Sequence, residues 1–312
     1  MRILIELPTW LGDAVMTTPS IENILIKFNS AEFVFIGSEV SLALFENFPN
    51  SKKLVKFDKK ITKLRDFSIS LGKFDLFISY RSSYRTKFFM FFVNALKKHQ
   101  FNKRHFDCGH QVERYNAFIN EAISLNKSPG PLKLYNNISR SDFDSQDLIG
   151  INPGAQYGSA KRWTINGFQD VAFDLSQKYK IILFGSKNEE DICNEIENFL
   201  KSKGVTNFVN LCGKTNIQEL ISIIAKLKLF ITGDSGPMHI AGAMKIATIS
   251  IFGPTRHNET HQWGNNNSKI IRKKLSCQPC MKRICPLKHH NCMKFIKADE
   301  VLIETKKLLR KV

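Results

Sequence analysis

A chain of 312 residues has room for two domains, and 43% hydrophobic with 24% charged residues is ordinary globular composition, which excludes wholesale disorder. Lys and Arg outnumber Asp and Glu 46 to 28, a net charge of +18, so the expected partner is anionic: nucleic acid, acidic lipid or a phosphorylated small molecule. The apolar run at residues 88–93 is far short of a membrane span, residues 1–8 give no secretory leader, and seven cysteines do not form a disulfide framework, which together point to the reducing cytoplasm.

Short apolar runs alternate with helix-period segments, the pattern of parallel α/β units. Residues 2–7 predict a first strand. Ile21, Ile24, Leu25 and Phe28 then form a helical stripe, whose start is expected at Thr18 as N-cap with Pro19 in the first helical position. Further strands are predicted at 33–36, 54–57 and 75–79. The block from Lys87 to Lys98 reads as a helix apolar nearly all round. It is either a buried core helix or, with Lys97, Lys98, Lys103 and Arg104, a surface facing anionic lipid.

The polar stretch 135–146 is the expected linker, giving an N-terminal domain at 1–146 and a C-terminal domain at 147–312. The second half predicts strands at 148–152, 180–184, 229–232 and 247–252. One helix after Thr164 carries Phe168, Val171, Ala172 and Leu175, and the next carries Ile192, Ile196, Phe199 and Leu200. Residues 299–309 predict a final helix.

Ligands in open α/β sheets bind beyond the carboxyl ends of the strands, so the loops there hold the candidate residues. After the first strand, Gly12 permits a tight turn and Asp13 supplies a carboxylate, which is either a helix cap or a functional acid. After the strand at 148–152 comes Asn152-Pro153-Gly154-Ala155-Gln156-Tyr157-Gly158-Ser159-Ala160-Lys161-Arg162-Trp163. Two glycines followed by two cations make either a phosphate cradle or a long solvated loop. After the strand at 229–232, Gly233-Asp234-Ser235-Gly236-Pro237-Met238-His239 places Pro237 at the start of a helix whose free amides suit an anion. His239 taken alone reads as a core histidine.

Four cysteines, Cys277, Cys280, Cys285 and Cys292, crowd into sixteen residues and would serve either as a structural zinc site or as an unmetallated thiol-rich loop. Cys108, Cys193 and Cys212 are expected as small buried hydrophobes.

The set W-L-G-D near the start, N-P-G-A-x-x-G-x-A-K-R-W in mid-chain and G-D-S-G-x-M-H later resembles the lipopolysaccharide heptosyltransferases, glycosyltransferase family 9, over nearly the whole chain. The tryptophan of the first motif and the late cysteines resemble one branch of that family most. The resemblance implies a GT-B fold, two Rossmann-like domains facing a central cleft, and inverting transfer of heptose from ADP-heptose to a lipid A–Kdo/heptose acceptor without a required metal. It implies Asp13 as general base, with Trp10 and Gly12 on the acceptor side. On the donor side it implies Gly154, Ala155, Lys161 and Arg162 at the diphosphate. Ser186, Lys187 and Thr215 would lie near the nucleoside, and Asp234, Ser235, Gly236 and His239 around the sugar–diphosphate. Thr164 stands where many relatives have proline. The +18 charge then suits an acidic glycolipid and peripheral contact with the anionic inner membrane at its cytoplasmic face, rather than nucleic acid, for which no recognised motif is present. A nicotinamide enzyme is disfavoured because the first strand leads into W-L-G-D instead of G-x-G-x-x-G.

Overall fold

The computed structural model describes residues 1–57, 63–137, 143 and 147–311, which fall into two units, Met1–Asn137 and Ile138–Val312. Most of the linker expected at 135–146 lies outside the described residues.

The first unit runs β1 (Arg2–Glu6), α1 (Leu11–Lys27), β2 (Glu32–Gly37), α2 (Glu39–Ala43), β3 (Ser51–Lys56), α3 (Leu64–Leu71), β4 (Lys73–Ser79), α4 (Tyr84–Phe92), β5 (Asn94–Gln100) and α5 (Gln111–Ala122). Its five strands lie in the order β3-β2-β1-β4-β5 and all pair in parallel. The apolar runs that predicted the central strands are buried on both faces, as a helix-covered parallel sheet requires. Leu4, Val34, Ile36, Phe77 and Phe89 make one core cluster.

The second unit continues β6 (Leu148–Asn152), α6 (Ile165–Ser176), β7 (Lys180–Leu183), α7 (Glu190–Ser202), β8 (Phe208–Asn210), α8 (Ile217–Ile224), β9 (Leu229–Gly233), α9 (Gly236–Ala243), β10 (Ala247–Ile251), α10 (His257–Thr260), β11 (Ser268–Ile271), α11 (Asn291–Lys294) and α12 (Ala298–Leu309). The parallel order is β11-β10-β9-β6-β7-β8. Thr164 caps α6 by accepting from the Gly167 N–H at 3.2 Å. Trp163 packs edge-on against Phe168 and donates its indole N–H to the Ile296 carbonyl, tying the loop after β6 to the C-terminal helices.

Three expectations need correction. The first helix does not start at Thr18 and Pro19: α1 begins at Leu11, and Pro19 lies inside it. Proline removes the amide that would have bonded the Val15 carbonyl, and the Thr18 hydroxyl donates to that carbonyl instead at 2.8 Å. The Lys87–Lys98 block is not one buried helix. Helix α4 ends at Phe92, Val93 turns extended, and β5 begins at Asn94. Of the three single cysteines, Cys193 and Cys212 are buried, but Cys108 is exposed.

Candidate functional site

Each sheet has a switch point where successive strands leave in opposite directions, between β1 and β4 in the first unit and between β6 and β9 in the second. The carboxyl ends of those strands are where a parallel sheet opens a crevice. Within each unit, polar groups gather at its own switch point.

In the first unit, Glu6 ends β1 opposite Ser79 of β4 and is fully buried. Its carboxylate accepts from the Ser79 hydroxyl at 2.6 Å and the Thr86 hydroxyl at 3.2 Å, and lies 3.5 Å from the Arg81 guanidinium. Burial pushes its carboxyl above the usual carboxylate range, against the Ser79 hydrogen bond and the Arg81 charge, which pull it down. Gln100, at the end of β5, donates to the Arg81 and Ser83 carbonyls at 3.0 and 3.1 Å, so the segment between β4 and α4 is held on both sides.

Asp13 lies nearby in sequence, in the first turn of α1. The N-cap is Trp10, so the capping role considered for Asp13 does not hold. The carboxylate is half-buried at the positive end of the α1 dipole. Tyr115, buried beneath, has its phenol pushed well up by burial and then by the charge of Asp13. Trp10 is exposed and Gly12 occupies the second helical position.

In the second unit, the loop after β6 is not a solvated connector: Ala155, Ala160 and Trp163 are buried, and Ser159–Lys161 form a 3-10 turn. Lys161, 14% exposed, puts its ammonium 2.6 Å from the carboxylate of Asp234, 6% exposed, in the loop after β9. The Thr255 hydroxyl, after β10, donates to the same carboxylate oxygen at 2.6 Å. The Lys161 ammonium also sits 4.8 Å from the centre of the Tyr157 ring. Arg162 has a buried Nε with no hydrogen-bond partner among the described residues, a donor left to satisfy. Asn152, the last residue of β6, donates to the Gly154 carbonyl and to the hydroxyls of Thr232 and Ser235, all within 3.2–3.3 Å. Ser235 is the N-cap of α9 and Gly236 its first residue, so the positive end of that helix lies beside the Lys161–Asp234 pair; Pro237 has no amide, and the Met238 amide donates to the Ser235 carbonyl at 3.2 Å. His239 is buried within α9.

Ser186 and Lys187 follow β7. The Ser186 amide and hydroxyl both donate to Glu189, at 2.8 and 2.7 Å. A Cβ on Gly154 would overlap that Glu189 carboxylate at 2.2 Å, so glycine lets the loops after β6 and β7 touch. Thr215 lies just before Asn216, the cap of α8, in a loop joined to the β7 loop by Gly213 N–H donating to the Gly185 carbonyl at 2.9 Å. The sequence-expected donor residues thus lie in the loops beyond the carboxyl ends of one sheet's strands, except Gly236 and His239, which belong to α9. Sequence reasoning missed Glu6, Arg81 and Thr255 and gave Asn152 no role. For Glu6 and Asn152 the signal was a charged or amide residue ending a buried apolar strand, whereas Arg81 and Thr255 lie in loops and gave none.

The cysteine segment braces this edge. The Ala160 amide donates to the Arg283 carbonyl at 3.0 Å, the Tyr157 hydroxyl to the Met281 carbonyl at 2.9 Å, and His290 Nε2 lies 3.1 Å from the Ala160 carbonyl. A Cβ on Gly158 would meet the Arg283 carbonyl at 2.3 Å. Burial first, then the charges of Cys285, Cys277 and Cys280, pushes the Cys292 thiol up to about 11. Among the described residues, however, no group of three or more His, Cys, Asp or Glu side chains is placed to hold a metal ion.

A model of glycosyltransferase family 9 (heptosyltransferase) matches residues 73–291. Lipooligosaccharide heptosyltransferase 2 of Campylobacter jejuni serotype O:6 is 42% identical over 317 residues, with 99% of each chain covered. Its counterpart from serotype O:2 is 40% identical over 320 residues, again covering 99% of each. The solved structure of Escherichia coli ADP-heptose LPS heptosyltransferase II matches with a TM-score of 0.84 at 22% identity, covering 100% of this chain and 99% of that one. That likeness bears out the expected GT-B class of paired parallel-sheet α/β domains.

Proposed function

The chain is a glycosyltransferase of family 9, the heptosyltransferases, and on that premise we propose that it moves heptose from ADP-heptose to the Kdo- and heptose-containing inner core of lipopolysaccharide, as heptosyltransferase II. The observation that carries the donor half of this reading is the Lys161–Asp234 pair at the β6/β9 switch point, beside the N-terminus of α9. A diphosphate needs cations and open N–H groups without a steric wall, and Lys161, Arg162, Gly154, Ala155, Ser235 and Gly236 supply that chemistry. Asp234 and His239 would face the sugar–diphosphate, and Ser186, Lys187 and Thr215 the adenosine.

The acceptor half is read onto the first unit, with Trp10 and Gly12 flanking Asp13. In one displacement the acceptor hydroxyl oxygen bonds to the anomeric carbon as the bond to the diphosphate oxygen breaks. Asp13 takes the hydroxyl proton, ADP leaves with the electron pair, and the configuration inverts. Negative charge on the diphosphate grows as that bond breaks, so fixed cations at Lys161 and Arg162 act more strongly on the transition state than on bound donor. No step is routed through a metal. Transfer should therefore continue in a strong chelator, and activity lost there and restored by magnesium alone would refute the scheme. A zinc held by Cys277, Cys280, Cys285 and Cys292 would be structural, and its removal would lower Tm before it lowered turnover.

The acceptor is lipid-anchored, so the enzyme is proposed to work peripherally at the cytoplasmic face of the inner membrane. No helix among the described residues is long and apolar enough to cross it. The deciding experiment incubates the protein with ADP-heptose and a defined lipid A–core acceptor and reads products by mass. One added heptose supports the reading, and an unchanged acceptor beside intact donor refutes it.

A further inference from the structure

We propose that the outward face of α4, together with the adjoining edge strand β5, is a docking surface for a bilayer carrying anionic phospholipid headgroups. The inference rests on the reading above that the acceptor is anchored in a membrane.

A helix on a soluble protein ordinarily turns its apolar side inward. In α4 the inner side is already filled: Phe89 is buried edge-on against Phe57 and Phe77, with ring centroids 4.9 and 5.9 Å apart, and Thr86 lies beside it. The outer side still carries Tyr84, Phe88 and Phe91, at i, i+4 and i+7, which are 92%, 49% and 78% exposed. Phe92 joins them edge-on, 5.1 Å from Phe88 and 5.3 Å from Phe91. Leu96, 83% exposed on β5, extends the patch onto the sheet edge. None of these rings is needed by the core, and together they form one apolar face.

Charge selects the occupant. Lys87 sits within the same stripe, Lys98 is exposed on β5 with its ammonium donating to the Met90 carbonyl of α4 at 3.0 Å, and Lys97, Lys103 and Arg104 are exposed on β5 and the loop that follows it. From Leu76 to Phe106 the sequence holds seven Lys and Arg and no Asp or Glu. Aromatic side chains ringed by lysines fit a headgroup layer, where rings enter the boundary and ammonium groups meet phosphates. A second copy would bring the same basic face against this one, and two chains of net charge +18 repel. Single-stranded nucleic acid offers phosphates and stacking bases, and the test below includes it.

The experiment sediments the purified protein with phosphatidylethanolamine–phosphatidylglycerol vesicles, with phosphatidylcholine vesicles, and with a single-stranded oligonucleotide as competitor. The wild type should bind the anionic vesicles, and less so at high salt. F88S/F91S should reduce that partition at least about ten-fold. K97A/K98A should reduce it about five-fold per lysine. Both variants alter exposed side chains and should keep the wild-type Tm, and the lysine variant preserves the test if the phenylalanine variant misfolds. Heptose transfer to a delipidated, soluble core oligosaccharide should be unchanged in both, while transfer to vesicle-embedded acceptor falls. Failure of all transfer alongside normal vesicle binding would sink the transferase reading and leave the surface standing. The surface proposal is overturned if the wild type ignores anionic vesicles, if both variants bind them equally well, or if the oligonucleotide displaces the vesicles at matched charge. A wild-type dimer split by F88S/F91S without vesicle binding would likewise overturn it and make the face self-associating.

Discussion

Removing Lys161 should damage stability and transfer by different routes, and the two can be separated. Its ammonium is 2.6 Å from Asp234, with both side chains largely out of water. Lys161→Ala strands a buried carboxylate, a loss of about 3–5 kcal/mol for such pairs. The Thr255 hydroxyl still donates to Asp234, so the lower end, about 3 kcal/mol, is expected. At about 2–4 °C per kcal/mol for a unit this size, Tm should fall by about 6–12 °C. Asp234→Asn added to Lys161→Ala removes the stranded charge and should bring stability back to within about 1 kcal/mol of the wild type. Transfer should not return with it. A charge-assisted contact to the diphosphate is worth about 1.5–3 kcal/mol, so kcat/KM should stay roughly 10–150-fold down in both the single and the double variant. The measurements are calorimetric unfolding, ADP affinity by titration calorimetry, and initial rates for the wild type, both singles and the double. If the double variant recovers activity together with stability, Lys161 is only the counter-ion of Asp234, and the donor diphosphate binds elsewhere.

Asp13→Asn should lower turnover by about 10²–10⁴-fold with ADP affinity nearly unchanged, and near-normal rates under saturating substrates would remove Asp13 as base. Glu6 has its carboxyl raised in the fold, so the folded state holds the proton more tightly than the unfolded one. Its contribution to stability is full below the unfolded value near 4.5 and is lost as pH rises through the folded value. Glu6→Gln should therefore gain Tm relative to the wild type as pH rises above that point, and a pH-independent difference in calorimetry would contradict this. Gly158→Ala would force the Arg283 carbonyl away from the loop after β6, so ADP affinity and Tm should both drop, whereas an unchanged affinity would uncouple the cysteine segment from the donor edge.

The second unit was the more legible half because its chemistry is local in sequence. The strand at 148–152 was read with its observed bounds, and the loops after it and after β9 showed their cations, glycines and helix start in consecutive residues. The Glu6 network was not legible because it joins residue 6 to residues 79–86, and only the β1–β4 pairing makes them neighbours. The Lys87–Lys98 block failed for a different reason. A run apolar on every side gives no period from which to read its inner face, and Val93 ends the helix without a glycine or proline to announce it. Pro19 misled in the opposite direction, since proline ordinarily starts a helix and here a threonine hydroxyl allows it inside one.

That hydroxyl sets a mechanical limit on the proposed base. Beyond Pro19, α1 is anchored to α5, where the Asn23 amide donates to Asn116 at 2.8 Å. Before Pro19, the turns leading back to Asp13 are buried but lack the amide bond that residue 19 would have given, so any tilt at that point is carried to Asp13. Six residues at 1.5 Å each make an arm of about 9 Å, so a tilt of only about 6° at the pivot swings its end by about 1 Å. Misplacing a reacting group by that distance can cost about 10²-fold in rate. The angular stiffness of the joint therefore governs how accurately the carboxylate is aimed. Three buried hydroxyls, on Thr17, Thr18 and Ser20, each donating to the carbonyl three residues back, contribute to it, so side chains on the buried face of α1 become part of the aim.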